Sequence, residues 1–466
     1  MPNDLQSDLS RLVARIERED APLAAADPYR PYFHLAPPVG WMNDPNGLCF
    51  DGTFYHVFYQ YGPFDPTGGV KFWGHYRSRD LLRWDSLPPM LCPDEPWNVH
   101  GVYSGSALVE DGRLYLYYTG NVLHGGAHDY THSGREHNTA LAVSSDGVTV
   151  DSNECLLHNC DYPRGLTCHV RDPKVWAQNG RYYMVQGART SDDRGEVLVF
   201  ESADKRHWTH INTITAPEKF GYMWECPDLF ELDGQWFLAL SPQGVTKQGN
   251  HYQNVYSCGY FPLYGDFRGD CTLGAFRELD FGFDFYAPQS FSDGKRRLQL
   301  GWLGLGDIPY RNPTVSNGWQ HCLTVPCELV RDGDTLRRIP VPELTALRGE
   351  RIPPDRAQVF DLESVTRASG RLVIRGSAVV EWEPGLLTLT FEHGGAGRDT
   401  RRADIGQVRS LRVLADSSSL ELFVNGGEAV LTSRYYPEPQ SCGIEFSGME
   451  PEIWTMNEME IDYEPI

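Results

Sequence analysis

The sequence has no run of about 18 apolar residues, the length a membrane-spanning helix requires. Its first twenty residues, MPNDLQSDLSRLVARIERED, lack the uninterrupted apolar stretch of a signal peptide. Positive charge is scarce: 41 Lys and Arg against 63 Asp and Glu leave a net charge of −22. Nucleic acid and anionic membrane both need a basic face, so neither is expected as a partner. A small anion is not excluded, because a few local Arg or Lys groups suffice to hold one. The eleven cysteines are odd in number, scattered, and never spaced Cys-x-x-Cys. In a chain without an export signal they read as reduced thiols, which points to the cytoplasm.

At 466 residues, 41% of them hydrophobic, the chain exceeds what one core usually serves, and two domains are expected. Leu5, Leu9, Leu12, Val13 and Ile16 recur at helical spacing, which predicts a helical extension over residues 1–29. From about residue 40, aromatic and β-branched runs broken by Gly, Pro, Asp and Asn are an all-β signature.

Five hairpin signals recur 54 to 68 residues apart: Asp51-Gly52, Asp111-Gly112, Asn179-Gly180, Asp233-Gly234 and Asp293-Gly294. Each glycine can take the positive φ that a tight strand connection demands, and each pair is followed by an apolar run such as FYHVFYQY or RLYLYYTG. A second marker, Ser78-Arg79-Asp80, Ser144-Ser145-Asp146 and Ser202-Ala203-Asp204, recurs further along three of the repeats. Units of roughly 40–60 residues with several strands each predict propeller blades. The expectation is a five-bladed β-propeller over 30–340, a Pro-, Glu- and Arg-rich linker over 341–357, and a small β-sandwich over 358–466.

The phase of the repeat locates the chemistry. Asp44 and Asp172 each lie seven residues before a hairpin signal, and Glu225 lies eight before one. Ser104 and Tyr286 hold the same offset in the other two repeats. Equivalent positions of blades surround one axis, so three acids and two hydroxyls should meet at one end of the channel. Acids placed together repel unless hydrogen bonds or a substrate offset the cost. Two carboxylates in different protonation states are what glycoside hydrolysis requires: one attacks the anomeric carbon, and the other, with a raised pKa, protonates the leaving oxygen. The phase alone does not say which carboxylate does which.

Trp41-Met42-Asn43-Asp44-Pro45-Asn46-Gly47, Tyr59-Gln60-Tyr61, Trp73-Gly74-His75, Tyr103-Ser104-Gly105-Ser106, Arg171-Asp172-Pro173 and Glu225-Cys226-Pro227 follow one another in order. This series resembles glycoside hydrolase family 32, the invertases, sucrose-6-phosphate hydrolases and fructanases, and the resemblance covers roughly residues 31–466. It implies a retaining β-fructofuranosidase with Asp44 as nucleophile, Glu225 as general acid and then base, and Asp172 stabilising the transition state. It further implies that Arg171 orients the cluster, that Asn43, Gln60, Tyr103 and Ser104 line a fructose subsite, and that Trp41 and Trp73 form its apolar walls. No metal or organic cofactor is implied; the expected partner is a small sugar, sucrose or sucrose 6-phosphate. A fructosyltransferase would use the same residues, and a non-catalytic sugar-binding propeller would lack a carboxylate.

Two departures touch recognition. Tyr103 stands where the family usually has Phe, and Gly68 stands where many relatives carry Trp. Lys71, Arg77 and Arg135 are the candidates to meet a phosphate at the rim. The loop with His124, His128, His132 and His137 matches no zinc spacing and reads as a polar rim. Cys226 reads as a packed thiol, having no histidine base. Three roles for the sandwich stay open: a sugar site, contact with another protomer in a homo-oligomer, or a brace for the propeller.

Overall fold

The computed structural model describes residues 4–463. Residues 1–3 of the expected extension and 464–466 of the expected sandwich lie outside the described residues. The chain opens with α1 (Asp4–Ala25), whose Val13 is fully buried. The helix lies against the first sheet: Tyr61 donates its hydroxyl to Glu17 at 2.7 Å. Among the described residues no helix is long and apolar enough to cross a membrane, and all eleven cysteines are free thiols.

The first sheet contains β1 (Gly40–Phe50), β2 (Tyr55–Gly62), β3 (Phe72–Ser78) and β4 (Arg83–Leu91). The second contains β5 (Val102–Glu110), β6 (Arg113–Leu123), β7 (Arg135–Ser144) and β8 (Ser152–Leu157). The third contains β9 (Leu166–Gln178), β10 (Arg181–Thr190), β11 (Gly195–Ser202) and β12 (Thr209–Ile214). The fourth contains β13 (Met223–Leu232), β14 (Gln235–Gln243), β15 (Gly259–Gly265) and β16 (Cys271–Leu273), with β17 (Arg277–Glu278) also paired to β15. All four are antiparallel meanders, the blades of a β-propeller.

The hairpin signals behave as their residues require. At Asp111-Gly112, Asn179-Gly180 and Asp233-Gly234 both residues have positive φ, the two-residue turn that matches strand twist. Asp51 and Asp293 instead head longer loops, accepting backbone N–H bonds from two following residues each. The Ser-x-Asp marker forms one turn three times: Asp80, Asp146 and Asp204 each accept two backbone N–H bonds between the third and fourth strands.

The propeller has four such regular blades, not the five equal ones that the repeats predicted. β18 (Tyr286–Ser292) and β19 (Arg297–Leu303) begin a fifth sheet, but the chain then leaves it. Pro313 starts a 3₁₀ turn, and β20 (Trp319–Gln320) pairs parallel with β1 of the first sheet. The chain returns with β21 (Cys322–Leu323), which pairs with β19, and completes the sheet as β22 (Cys327–Asp332) and β23 (Thr335–Pro340). Proline cannot donate to a strand ladder, and the Trp319 ring is fully buried among Ala24, Ala36, Leu303 and Cys322, so burial of that ring diverts the segment out of a simple meander.

The segment 341–357 is ordered: β24 (Arg348–Arg351) pairs with β32 (Ile444–Met456). Beyond it lies a β-sandwich-like domain of β25 (Phe360–Ile374), β26 (Ala378–Glu383), β27 (Gly385–Phe391), β28 (Thr400–Ile405), β29 (Ser410–Ala415), β30 (Ser419–Val424), β31 (Ala429–Arg434) and β32. The long β25 joins its layers, pairing with β29 through residues 360–365 and with β26 through 370–374. β33 (Glu460–Asp462) returns to the first sheet, parallel to β4.

The two parts share buried charge. Asp284 accepts two bonds of 2.6 Å from Arg398, and both side chains are wholly buried. His34 of the propeller lies between Asp416 at 2.7 Å and Glu421 at 2.9 Å of the sandwich. Burial alone would lower the His34 pKa; bonds and charge from the two acids overcome it and raise it to about 9. A raised folded pKa stabilises fully below the unfolded value near 6.5, and that stabilisation is lost as pH rises through 9. We therefore expect urea unfolding to show wild type losing on the order of 2 kcal/mol more between pH 7 and 10 than His34→Gln does. An identical pH dependence in the two proteins would remove the charged clamp.

Candidate active site

The first strands of the five sheets touch in a ring, β1 to β5, β5 to β9, β9 to β13, β13 to β18, and β18 back to β1. Each breaks register at, or one residue after, the position that the repeat phase singled out. Asn43-Asp44 stand opposite one residue of β2, and Ser104 is the extra residue of β5. Asp172-Pro173, Cys226-Pro227 and Ala287-Pro288 each stand opposite one residue of the neighbouring strand. These are β-bulges, which bend a strand and re-aim its side chains. Asp172, Cys226 and Ala287 have positive φ, each directly before its proline. Strain of that kind clusters at functional sites.

The bulges surround a cavity of about 260 Å³ lined by Asp44, Asp172 and Glu225 together. Asp44 Oδ2 accepts the Ser104 hydroxyl at 2.6 Å, and Oδ1 accepts Asn43 Nδ2 at 3.1 Å. Burial raises the Asp44 pKa, against those two donors and with help from the charge of Glu225. Asp172 accepts the Cys226 backbone N–H at 2.8 Å. Burial pushes its pKa up to about 7, against the charge of Arg171 and with help from Glu225. Glu225 is held from three sides, by Arg171 Nη2 at 2.5 Å, the Tyr286 hydroxyl at 2.5 Å and Gln243 Nε2 at 2.9 Å. The two outer acids thus differ in kind: Asp44 meets neutral donors, whereas Glu225 is paired with a guanidinium. The Cys226 thiol is buried, donates to Asp44 Oδ2 at 3.6 Å, and is held protonated by burial among the acids.

Asn43, Gln60, Tyr103, Ser104 and Arg171 also line the cavity. Gln60 Nε2 is tied to the Val102 carbonyl at 2.9 Å. Trp73 does not line it, and the expectation of an apolar wall there is corrected. Its ring is fully buried beside Phe58 and Tyr118, with Nε1 donating to the Tyr103 carbonyl at 3.0 Å. The residue instead supports Tyr103 from behind. Trp41 also stands one step back: Nε1 donates to Asn43 at 2.6 Å, and its ring packs on Trp302 and His321. Trp302, from the fifth sheet, is the indole that lines the cavity.

Of the rim cations, Lys71 and Arg135 face the cavity, while Arg77 pairs with Asp85 at 2.8 Å and stacks on Phe54. His124, His128 and His132 are exposed, but His137 is buried against Tyr103 and His169. No group of three or more His, Cys, Asp or Glu among the described residues is arranged to hold a metal. His169, Gln243, Tyr256 and Asp307 line the cavity without having been singled out in the sequence. Tyr256, Asp307 and Trp302 come from segments outside the five bulges, where the repeat phase is silent.

Comparison with known proteins follows the same division. Residues 34–340 match the model described as glycosyl hydrolases family 32 N-terminal domain, and residues 383–455 the family 32 C-terminal model. The chain is 38% identical to the sucrose-6-phosphate hydrolase of Bacillus subtilis (strain 168), over 96% of this chain and 98% of that one. The solved sucrose-6-phosphate hydrolase of Lactobacillus gasseri superposes with a TM-score of 0.87 at 27% identity, covering 96% of this chain and 97% of that one. A mutant β-fructofuranosidase of Bombyx mori, solved in complex with sucrose, gives 0.84 at 28% identity, covering 99% and 100%.

Proposed function

The chain belongs to glycoside hydrolase family 32, and on that premise we propose that it hydrolyses sucrose or sucrose 6-phosphate by a retaining mechanism. The observation that carries this reading is the meeting of Asp44, Asp172 and Glu225 in one buried cavity, each with a different set of partners. Asp44 attacks the anomeric carbon of the fructosyl unit, forming a covalent ester as the glycosidic bond breaks. Glu225 gives its proton to the leaving oxygen. It then takes a proton from water, whose oxygen displaces Asp44 and releases fructose. Asp172 accepts hydrogen bonds from fructose hydroxyls, which strengthen as positive charge develops on the ring. Arg171 orients Glu225, and Asn43 and Ser104 fix the attacking carboxylate.

The interrupted sheet is read as a fifth blade, since β18 closes the ring of first strands between β13 and β1. A boundary near residue 340 between a catalytic propeller and the sandwich is part of the same reading, supported by where the two family models match. The cytoplasm suits eleven free thiols.

The test is release of free fructose from sucrose and from sucrose 6-phosphate, followed with the oligosaccharides formed at high sugar concentration. Equimolar fructose and glucose, or fructose and glucose 6-phosphate, is the expected result. Fructo-oligosaccharides as the main product would make the chain a transferase. No turnover of either sugar would leave a binding propeller.

A further inference from the structure

Arg171 divides its guanidinium between two partners. Nη2 donates to Glu225 Oε1 at 2.5 Å and Nη1 donates to His169 Nδ1 at 2.6 Å, while Nε lies 3.9 Å from Asp172. His169 and Arg171 are alternate residues of β9, so both side chains leave one face of the strand and line the same cavity. An imidazole nitrogen accepts a guanidinium N–H only while the ring is neutral. Burial, together with the charges of Arg171, Arg135 and Arg189, pushes the His169 pKa down to about 2. His137 of β7, itself kept neutral by burial, packs edge-on against the ring with centroids 5.4 Å apart. The acceptor at Nδ1 is therefore present at any pH near neutrality.

The tautomer is set from the other side of the ring. His169 also donates to the backbone of Tyr130, and because Nδ1 is occupied by Arg171 the donor is Nε2–H. Tyr130 lies in the loop between β6 and β7 and has a φ of +55°. The next carbonyl, that of Thr131, accepts the Cys168 N–H at 2.8 Å. Asp129 braces this stretch by accepting the backbone N–H groups of Thr131 and His132 at 3.0 and 2.8 Å. The His-rich loop thus reaches the acid/base through three links, from Tyr130 to His169, Arg171 and Glu225. Glu225 has two opposed tasks: it holds a proton for the first step and is an anion for the second. A guanidinium in contact favours the anion. The other titratable groups facing Glu225 are Asp44, Asp172, the Cys226 thiol and the Tyr286 hydroxyl. With Nη1 committed to His169, Arg171 meets Glu225 through one N–H and not as a bidentate fork.

We infer that His169 is a positioning residue for the acid/base: its neutral ring, aimed by the Tyr130 carbonyl, holds one arm of Arg171 away from Glu225, so that Glu225 keeps its proton until the leaving oxygen takes it. This rests on the fructosidase reading above. Without the Nδ1 acceptor the guanidinium turns further toward Glu225, and the protonated enzyme is lost at lower pH.

The experiment records kcat/KM for sucrose against pH in wild type, His169→Leu, His169→Gln and His169→Asn. The alkaline limb of that profile reports the general acid of the free enzyme. It should move to lower pH by about half a unit to one unit in His169→Leu, with the acid limb in place. His169→Gln, whose amide reaches the Nε2 position but leaves Nδ1 empty, should shift in the same direction and keeps the test open should the leucine variant misfold. His169→Asn puts an oxygen where Nδ1 stood and should stay within about 0.2 units of wild type. With an aryl β-fructofuranoside, whose departure needs little protonation, all four proteins should agree within about threefold. An unshifted limb in the leucine and glutamine variants, an equal shift in His169→Asn, or a uniform loss at every pH on both substrates would overturn the inference. If wild type releases no fructose from either substrate, the fructosidase reading has failed and the inference falls with it, a result distinct from an unshifted limb in an active enzyme.

Discussion

Asp44→Asn is expected to lower kcat for fructose release by roughly 10⁴- to 10⁶-fold while leaving sucrose binding within a few-fold of wild type. The substitution keeps the shape of the side chain and a hydrogen bond to Ser104, which now sits 2.6 Å from Oδ2. What it removes is the anion that attacks. A ten-thousand-fold loss corresponds to about 5.4 kcal/mol of transition-state stabilisation, far more than deletion of one neutral hydrogen bond gives. Calorimetric titration with sucrose separates the two contributions, since a collapsed pocket would lose binding as well as turnover. Intact-protein mass spectrometry of quenched wild type should show one added fructosyl unit, and the variant none. Retention of more than about 1% of wild-type kcat would exclude Asp44 as nucleophile.

Glu225→Gln should cost about 10²- to 10⁴-fold on sucrose, the range for loss of a general acid–base. The diagnostic is its dependence on the leaving group. With an aryl β-fructofuranoside, whose phenolate departs with little protonation, the first step should recover most of its rate. The second step still lacks its base, so a burst of phenol equal to the enzyme concentration should precede slow turnover. Equal losses on sucrose and the aryl substrate, without a burst, would assign Glu225 a structural part. Its surroundings make a misfolded variant an unsatisfactory account of the expected pattern. Gln can still accept from Tyr286 and Gln243, and the Arg171 guanidinium keeps His169 Nδ1 at 2.6 Å and Asp172 at 3.9 Å.

Much of this site was legible because a propeller turns sequence phase into position. Asp44, Ser104, Asp172 and Tyr286 stand seven residues before their hairpin signals and Glu225 stands eight before its own, and all five line the cavity. The bulges behind them leave a mark in the sequence too, the prolines at 45, 173, 227 and 288. Trp73 shows where phase stops helping. It lies on β3, and an indole next to a motif glycine reads equally well as a wall or as packing. Only its neighbours, Phe58 and Tyr118, decide for packing.

The sequence by itself determined the all-β class, the repeat and its period, and the height along each first strand at which the acids sit. These follow from strand alternation and turn chemistry, which act over a few residues. Tertiary structure alone decided that the fifth repeat is interrupted, because Trp319, its backbone paired to β1, buries its ring among Ala24, Ala36, Leu303 and Cys322, which outweighs local strand pairing. It also decided that Trp302 rather than Trp73 meets the cavity, that His34 is locked between two acids of the other domain, and that Arg171 pairs with Glu225. Each depends on contacts between residues far apart in the chain, and on burial, which sets both their charge and their direction.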